Sequence, residues 1–203
     1  LQLENAATST YLSILDGNND LQVAISDMKI IEQLTVEHLK PHQLLLENAK
    51  LIVLDANLSE ATLNYLLHNF CNTPLFVDTV SSTKALKIKP YLDKIHTLKP
   101  NLGEAEQLSG ITLNDQKDLP TLANWFHEEG VQRIFLSLGA EGVFYSDRTE
   151  QVLLSVMDTT IVNANGAGDA LLAGLVHGYM QDWSIHYTQR FAIAAAAVAL
   201  SDL

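Results

Sequence analysis

A glycine-rich segment near the carboxyl end of the chain has the composition of an anion-binding turn. Residues 163–169 read NANGAGD, and the apolar run ALLAGLV continues them over residues 170–176. Glycine permits close backbone approach and positive φ, and the first turn of a helix has N–H groups without helical partners. Those amides and the partial positive charge of the helix start favour an anion. The pattern predicts a turn that leads directly into a helix and can hold a phosphate.

Asp169 immediately follows this turn. Phosphoryl transfer needs donors that hold the moving phosphate and a carboxylate that handles the acceptor hydroxyl. An aspartate is ionised at neutral pH, so it can orient a hydroxyl and then accept its proton. The alternative is a tight strand-to-helix turn in which Asp169 only complements the helix dipole.

Asn101 and Glu104 lie three residues apart in the segment KPNLGE, where a predicted strand meets a predicted helix. This spacing can bring an amide and a carboxylate to the same side of the first helical turn. Hydrated Mg²⁺ commonly uses one or two carboxylates together with substrate phosphates. The alternative is a helix-capping role for both residues.

Ser137, Gly139 and Gly142 belong to the segment SLGAEG, which follows another predicted strand. A loop of this kind can pass closely over a nucleotide while its hydroxyl contacts a phosphate. The alternative is a hairpin turn between two strands.

The composition narrows the class of protein. The formal net charge of −12 disfavours a protein that binds nucleic acid or anionic membranes. Because the chain has only 12 Lys and Arg residues, any phosphate should be bound by backbone amides and a cation. The single Cys71 suits a reducing compartment, and no apolar run reaches the length of a membrane span. We therefore predict a cytoplasmic protein that acts on small molecules.

Strand-like and helix-like segments alternate from residue 51 onward, which predicts an α/β fold with a mostly parallel sheet covered by helices on both faces. Ligands of such folds bind at the carboxyl ends of the strands. Asp55, Asp78 and Asn101 fall at predicted strand ends, so we expect the polar residues to gather along one sheet edge. Residues 8–16 and 21–27 predict a hairpin. Pro41 should interrupt or restart the helix that contains it, and Pro90 should weaken the helix of residues 82–95.

The three motifs NxxE, SxGxxG and GAGD, in this order, resemble the ribokinase/PfkB family of carbohydrate and nucleoside kinases. The resemblance spans nearly all of residues 1–203 and implies a single ribokinase-like domain, with the hairpin of residues 8–27 near the sheet edge and the lid over the sugar. The early part of the chain looks most like the pseudouridine-kinase branch. Both ends read as cut edges, so we expect a partial domain that lacks most of the acceptor-binding part.

The resemblance also implies roles for individual residues. Asp169 would be the catalytic base, and Gly166, Ala167 and Gly168 would form the anion hole. Glu104 would organise Mg²⁺, through water. The ATP-binding residues would be Asn101, Ser137, Gly139, Gly142 and Asn165. Asn163 stands where several relatives have an aspartate of a monovalent-cation site, which makes dependence on K⁺ doubtful.

The predicted function is ATP-dependent phosphorylation of a sugar or nucleoside hydroxyl, with pseudouridine as the favoured acceptor. One alternative is another sugar kinase of the same family, such as a ribokinase or a fructokinase. A second alternative is a catalytically inactive nucleotide-binding domain. No nucleic-acid or membrane partner is expected, and a homodimer is compatible with the resemblance.

Overall fold

A computed structural model describes residues 2–15, 21–156, 159, 161–162 and 165–201 of the chain. The strands of this part are β1 (Thr10–Leu15), β2 (Leu21–Asp27), β3 (Ile52–Asp55), β4 (Leu75–Asp78), β5 (Thr97–Lys99), β6 (Arg133–Ser137), β7 (Val143–Ser146) and β8 (Gln151–Leu154). Its α-helices are α1 (Val36–Leu39), α2 (Gln43–Glu47), α3 (Glu60–Asn69), α4 (Ser82–Ala85), α5 (Leu102–Ser109), α6 (Leu119–Glu128), α7 (Ala167–Met180) and α8 (Ile185–Ser201). Short 3₁₀ segments cover Lys29–Gln33, Lys40–His42, Leu86–Lys94, Gln116–Asp118 and Gly139–Glu141.

Six strands form the central sheet, and their spatial order β3-β4-β5-β6-β7-β8 follows the sequence. The neighbours from β3 to β6 pair in parallel, whereas β7 and β8 continue the sheet in antiparallel fashion. The parallel strands have their carboxyl ends on the same edge, so the residues that follow them are brought together. The predicted mostly parallel sheet is confirmed.

Helices cover both faces of this sheet. Alternate residues of strand β6 point to opposite faces, and each set packs in a different cluster of buried side chains. On one face, Ile134 and Leu136 of β6 join a large core that includes α3, α5 and α6. On the other face, Phe135 packs with residues of α7 and α8, among them Leu171 and Ile193. The helix whose start carries the predicted anion hole is therefore anchored to the sheet by its apolar side.

The helices α7 and α8 approach each other more closely than most side chains would allow. A Cβ atom on Gly174 would lie 2.6 Å from the Cα of Ala192, and one on Gly178 would lie 2.5 Å from the side chain of Thr188. Glycine at both positions thus allows α7 to pack closely against α8.

Both prolines lie in 3₁₀ segments within the regions that were predicted to be helical. Pro41 lies in the 3₁₀ segment Lys40–His42, which separates α1 from α2. Pro90 lies within the 3₁₀ segment Leu86–Lys94 that follows α4. Proline lacks an N–H group and clashes with the preceding turn, which explains both interruptions.

The predicted hairpin is present as a separate antiparallel pair, β1 with β2. Its predicted turn residues Gly17 to Asp20 lie outside the described residues. Cross-strand partners share a face, so Leu12 and Ile25 lie on one side, where both are more than half exposed. Tyr11 and Ser13, on the opposite side of β1, line the cleft described below.

None of the described helices is both long enough and apolar enough to pass through a lipid bilayer.

Candidate active site

The carboxyl ends of the parallel strands and the start of α7 border one cleft, which has a volume of about 1970 Å³. Its lining includes a residue at the end of each parallel strand or just after it: Asp55, Asp78, Lys99, Asn101 and Ser137. The predicted gathering of polar residues along one sheet edge is confirmed.

The start of α7 has the backbone geometry that the glycine-rich motif predicts. Gly166 is the N-terminal cap and has φ +82°, which glycine adopts readily. The N–H group of Ala170 donates to the carbonyl oxygen of Gly166 at 2.9 Å, which is the first turn of the helix. The amides of Gly166, Ala167 and Gly168 precede this bond and have no acceptor within the helix. Three donors are thus arranged as an anion-binding helix start requires.

Asp169 lies in the first turn of α7, is exposed, and lines the cleft. Gly166 and Gly168 line the same cleft, whereas Ala167 is not among the lining residues. The carboxylate and the helix start thus face the same cleft, on the side where the parallel strands end. An anion held at this helix start would lie close to a carboxylate that can receive a proton.

Asn101 and Glu104 form a reciprocal cap at the start of α5. The side-chain oxygen of Asn101 accepts from the Glu104 N–H group at 2.9 Å, and Oε2 of Glu104 accepts from the Asn101 N–H group at 2.9 Å. The same Oε2 atom accepts from the hydroxyl of Thr79 at 2.5 Å. Glu104 is only 5% exposed, yet both cap residues line the cleft. The capping alternative is therefore realised, and it fixes the carboxylate rigidly at the edge of the cleft.

This carboxylate is compatible with Mg²⁺ held through water. Its Oε2 atom is used by the cap and by Thr79, which leaves Oε1 as the oxygen for a hydrated cation. Among the described residues, no group of three or more His, Cys, Asp or Glu side chains is arranged to bind a metal directly. Mg²⁺ usually keeps several waters and binds one or two carboxylates plus phosphates, so a dedicated protein cage is not required.

The loop with Ser137, Gly139 and Gly142 forms the turn between β6 and β7. Its 3₁₀ segment Gly139–Glu141 is closed by the Leu138 N–H group, which donates to the carbonyl oxygen of Gly142 at 2.9 Å. Gly142 has φ +120°, and a Cβ atom there would overlap the backbone of Leu154. Ser137 lines the cleft, but the two glycines are not among its lining residues. The hairpin alternative accounts for both glycines, and their contact with a nucleotide stays a prediction.

Asn165 lies beside the anion-binding turn and lines the cleft. Its side-chain amide donates to the hydroxyl of Ser13 in β1 at 2.9 Å. This bond joins the predicted ATP-binding residue to the hairpin. Asn163, on which the doubt about K⁺ rests, lies outside the described residues.

A buried ion pair at the same edge was not predicted from the sequence. The Nζ atom of Lys99 lies 3.0 Å from Oδ2 of Asp78, and the two residues are 5% and 8% exposed. Oδ1 of Asp78 accepts from the N–H group of Val80, which has the unusual φ of +65° for a β-branched residue. Lys99 immediately precedes Pro100 and Asn101, and a lysine at the end of a predicted strand beside this motif was the available signal.

The chain is similar to known proteins over almost its entire length. Residues 1–202 match the pfkB family of carbohydrate kinases. The pseudouridine kinase of Escherichia coli is 44% identical over 195 residues, which cover 96% of this chain and 62% of that protein. A second E. coli protein, described as an uncharacterized sugar kinase, is 39% identical over 98% of this chain and 55% of its own length. The chain belongs to the pfkB family of carbohydrate kinases.

The fold of this chain is similar to that of a solved kinase structure. The structure of Arabidopsis thaliana ribokinase complexed with ribose and ATP superimposes with a TM-score of 0.79 at 19% identity, over 98% of this chain and 64% of that one. At this identity the likeness concerns the fold, which is ribokinase-like. The chain spans roughly 62% and 55% of the lengths of the two curated E. coli relatives.

Proposed function

We propose that this chain performs phosphoryl transfer from ATP to a hydroxyl group of a sugar or nucleoside, with pseudouridine as the acceptor. The observation that carries the proposal is the start of α7, where three backbone amides without helical acceptors adjoin the cleft-lining carboxylate of Asp169. Membership of the pfkB carbohydrate kinase family supports the reaction class.

In the proposed reaction, the amides of Gly166, Ala167 and Gly168 hold the oxygens of the transferred phosphoryl group. Asp169 orients the acceptor hydroxyl and takes its proton while the new P–O bond forms. The bond between the γ-phosphorus and the bridging oxygen breaks, and its electron pair leaves with ADP. The acceptor gains a phosphate ester, and the proton on Asp169 passes to solvent.

The predicted nucleotide contacts belong to the same proposal. Asn101, Ser137 and Asn165 are supported as ATP-binding residues by their place in the cleft lining. Gly139 and Gly142 are proposed to shape the loop beside the nucleotide. Glu104 would hold Mg²⁺ through water, and the metal would neutralise charge on the ATP phosphates. The Arabidopsis ribokinase with bound ATP supports the choice of nucleotide through its shared fold.

Pseudouridine is the favoured acceptor because the E. coli pseudouridine kinase is 44% identical to this chain. An acceptor panel with γ-labelled ATP and the full-length gene product tests this choice. Pseudouridine, uridine, ribose, fructose 1-phosphate and adenosine are compared by kcat/KM. The proposal predicts the highest value for pseudouridine. Transfer to ribose without transfer to pseudouridine would reject the acceptor, and absence of transfer to every acceptor would reject the kinase.

A catalytically inactive nucleotide-binding domain is the second candidate. Calorimetric titration with ATP separates the two candidates. Binding of ATP without transfer to any acceptor would support the inactive domain.

Several expectations from the sequence remain predictions. They are the single partial domain of residues 1–203, the hairpin of residues 8–27 near the lid, the homodimer, the cytoplasmic location and the doubtful K⁺ dependence.

A further inference from the structure

Lys99 places a positive charge at the bottom of the cleft. It ends β5 and is 5% exposed, and its register partner on the parallel neighbour β4 is Asp78. The ammonium group and the Asp78 carboxylate lie 3.0 Å apart. Among the described residues that line the cleft, Lys99 is the only lysine or arginine. Although the chain has a net charge of −12, a polyanionic ligand in the cleft would therefore meet the positive charge of this ammonium group.

The ammonium lies directly beside the anion-binding turn. A Cβ atom built on Gly168 would be 3.3 Å from the Nζ atom of Lys99. Gly168 is one of the residues whose amide precedes the first helical hydrogen bond of α7. Because Gly168 has no side chain, the space beside the ammonium group stays open. Amide donors and a lysine charge converge on one region of the cleft.

Stability does not explain a lysine at this position. Removing two charges from water carries a desolvation penalty that can exceed their mutual attraction, and a buried pair is often no better than apolar residues of the same volume. An ammonium group has three donors, and the ion pair with Asp78 occupies one of them. The remaining donors can serve an oxygen-rich anion that enters the cleft.

The Asp78 carboxylate is itself held in place and therefore orients the ammonium group of Lys99. Its Oδ1 atom accepts from the N–H group of Val80 at 2.9 Å, while Oδ2 faces the ammonium. The adjacent Thr79 donates its hydroxyl to Glu104. The loop after β4 thus connects the lysine to the carboxylate proposed for Mg²⁺.

We propose that Lys99 is a catalytic residue whose ammonium group contacts the oxygens of the transferred phosphoryl group, and that Asp78 is a positioning residue for it. The inference rests on the proposed kinase function. In the step already described, the P–O bond to ADP breaks, the bond to the acceptor forms, and the acceptor proton moves to Asp169. Lys99 neither gains nor loses a proton. It stabilises the negative charge that is spread over the phosphoryl oxygens while both bonds are partial.

The test compares Lys99→Met, which keeps length and removes charge, with Lys99→Arg, which keeps the charge. The matched control is Lys117→Met, because the Lys117 side chain is 87% exposed and does not line the cleft. For the full-length gene product, Lys99→Met should lower kcat about 100-fold or more, with KM for the acceptor nearly unchanged. Lys99→Arg should recover at least about a tenth of wild-type kcat, and Lys117→Met should match the wild type.

A purely structural lysine would give a different result, in which Lys99→Met lowers the unfolding temperature but leaves kcat within about threefold of wild type. That result would overturn the inference. The double variant Asp78→Asn/Lys99→Met removes the ion pair without leaving a buried charge alone, and it should be as inactive as Lys99→Met. Near-wild-type kcat in the double variant would also overturn the inference.

If the variants do not fold, an NMR measurement on the wild-type protein tests the contact between Lys99 and the phosphoryl group. The ¹⁵Nζ resonance of Lys99 should shift when ADP and aluminium fluoride, which mimics the transferred phosphoryl group, are added together. ADP alone should shift it much less. Equal shifts with and without the fluoride would contradict the contact. Failure of the kinase proposal is distinguishable, because the wild-type protein would then transfer no phosphate from ATP to any acceptor.

Discussion

The side-chain amide of Asn165 donates a hydrogen bond to the hydroxyl of Ser13 at 2.9 Å, although the two residues are 152 positions apart in the chain. The bond joins the turn before α7 to the strand β1 of the hairpin. Ser13 and Asn165 both line the cleft. The hairpin is therefore attached directly to the turn that we propose as the phosphate site.

Removing this link should weaken acceptor binding more than the chemical step. We expect Ser13→Ala to raise KM for the acceptor about two- to fivefold with kcat nearly unchanged, because one exposed hydrogen bond contributes about 0.5–1 kcal/mol. Steady-state kinetics measures the effect. Thr10→Ala, in the same strand but on its opposite face, is the control. A fall in kcat without a change in KM would disprove a role in positioning the hairpin.

The carboxylate of Glu104 should affect the metal requirement. Glu104→Gln removes the charge while an amide oxygen can still accept from the Asn101 N–H group, so the cap should largely persist. We expect the Mg²⁺ concentration for half-maximal activity to rise about tenfold. Glu60→Gln is the control, since Glu60 lies in the first turn of α3 and outside the cleft lining. Identical Mg²⁺ titrations for Glu104→Gln and wild type would remove Glu104 from the metal site.

The close approach of α7 and α8 should make Gly174 intolerant of a larger residue. In Gly174→Ala the new methyl group would lie 2.6 Å from the Cα of Ala192, so the helices must separate. We expect a loss of about 1–3 kcal/mol in the free energy of unfolding, measured by urea denaturation. Gly103→Ala is the matched control, because its new methyl group would meet nothing closer than 3.7 Å. Equal stability of the two variants would contradict the tight packing.

His96 should make the protein less stable in mild acid. Burial, with a smaller contribution from the Arg133 guanidinium, lowers the pKa of His96 to about 4. An unfolded histidine has a pKa of about 6.5, so the unfolded chain binds more protons between pH 6.5 and 4. The contribution of His96 to stability is therefore complete above pH 6.5 and decreases as the pH falls towards 4. The ring is only half-buried, which limits the expected loss to about 1–2 kcal/mol.

Urea denaturation across this pH range measures the effect. His96→Asn keeps a polar partner for the Thr97 hydroxyl, which lies 2.8 Å from Nδ1 of His96. This variant should show a flatter dependence of unfolding free energy on pH than wild type. His42→Asn changes an exposed histidine and should keep the wild-type slope. A wild-type slope in His96→Asn would show that other groups cause the acid sensitivity.

The alternation of apolar runs and helical segments was sufficient to predict the parallel sheet, because strands buried on both faces are recognisable from local sequence. The polar edge followed from the same pattern, since Asp55, Asp78 and Asn101 each end or follow such a run. The disturbance of the helical segments that contain Pro41 and Pro90 was also predictable, because proline lacks an N–H group and clashes with the preceding turn.

Contacts between distant parts of the chain were not predictable from these patterns. Nothing local in the sequence shows that Lys99 adjoins Gly168, or that Thr79 donates to Glu104. Spacing alone left the metal and capping interpretations of Glu104 open, and the fold shows that one carboxylate can serve as a cap and still face the cleft. The positive φ of Val80 was equally unforeseen, because tertiary structure imposes it.

Single-turnover transfer from γ-labelled ATP, with wild type and Asp169→Ala compared side by side, tests whether Asp169 is the catalytic base of phosphoryl transfer. Asp118→Ala is the matched control, because Asp118 is an exposed acidic residue at the start of α6. We expect Asp169→Ala to lower the transfer rate by about 10²-fold or more while ATP still binds, and Asp118→Ala to behave as wild type. An unchanged transfer rate in Asp169→Ala would show that Asp169 is not the catalytic base.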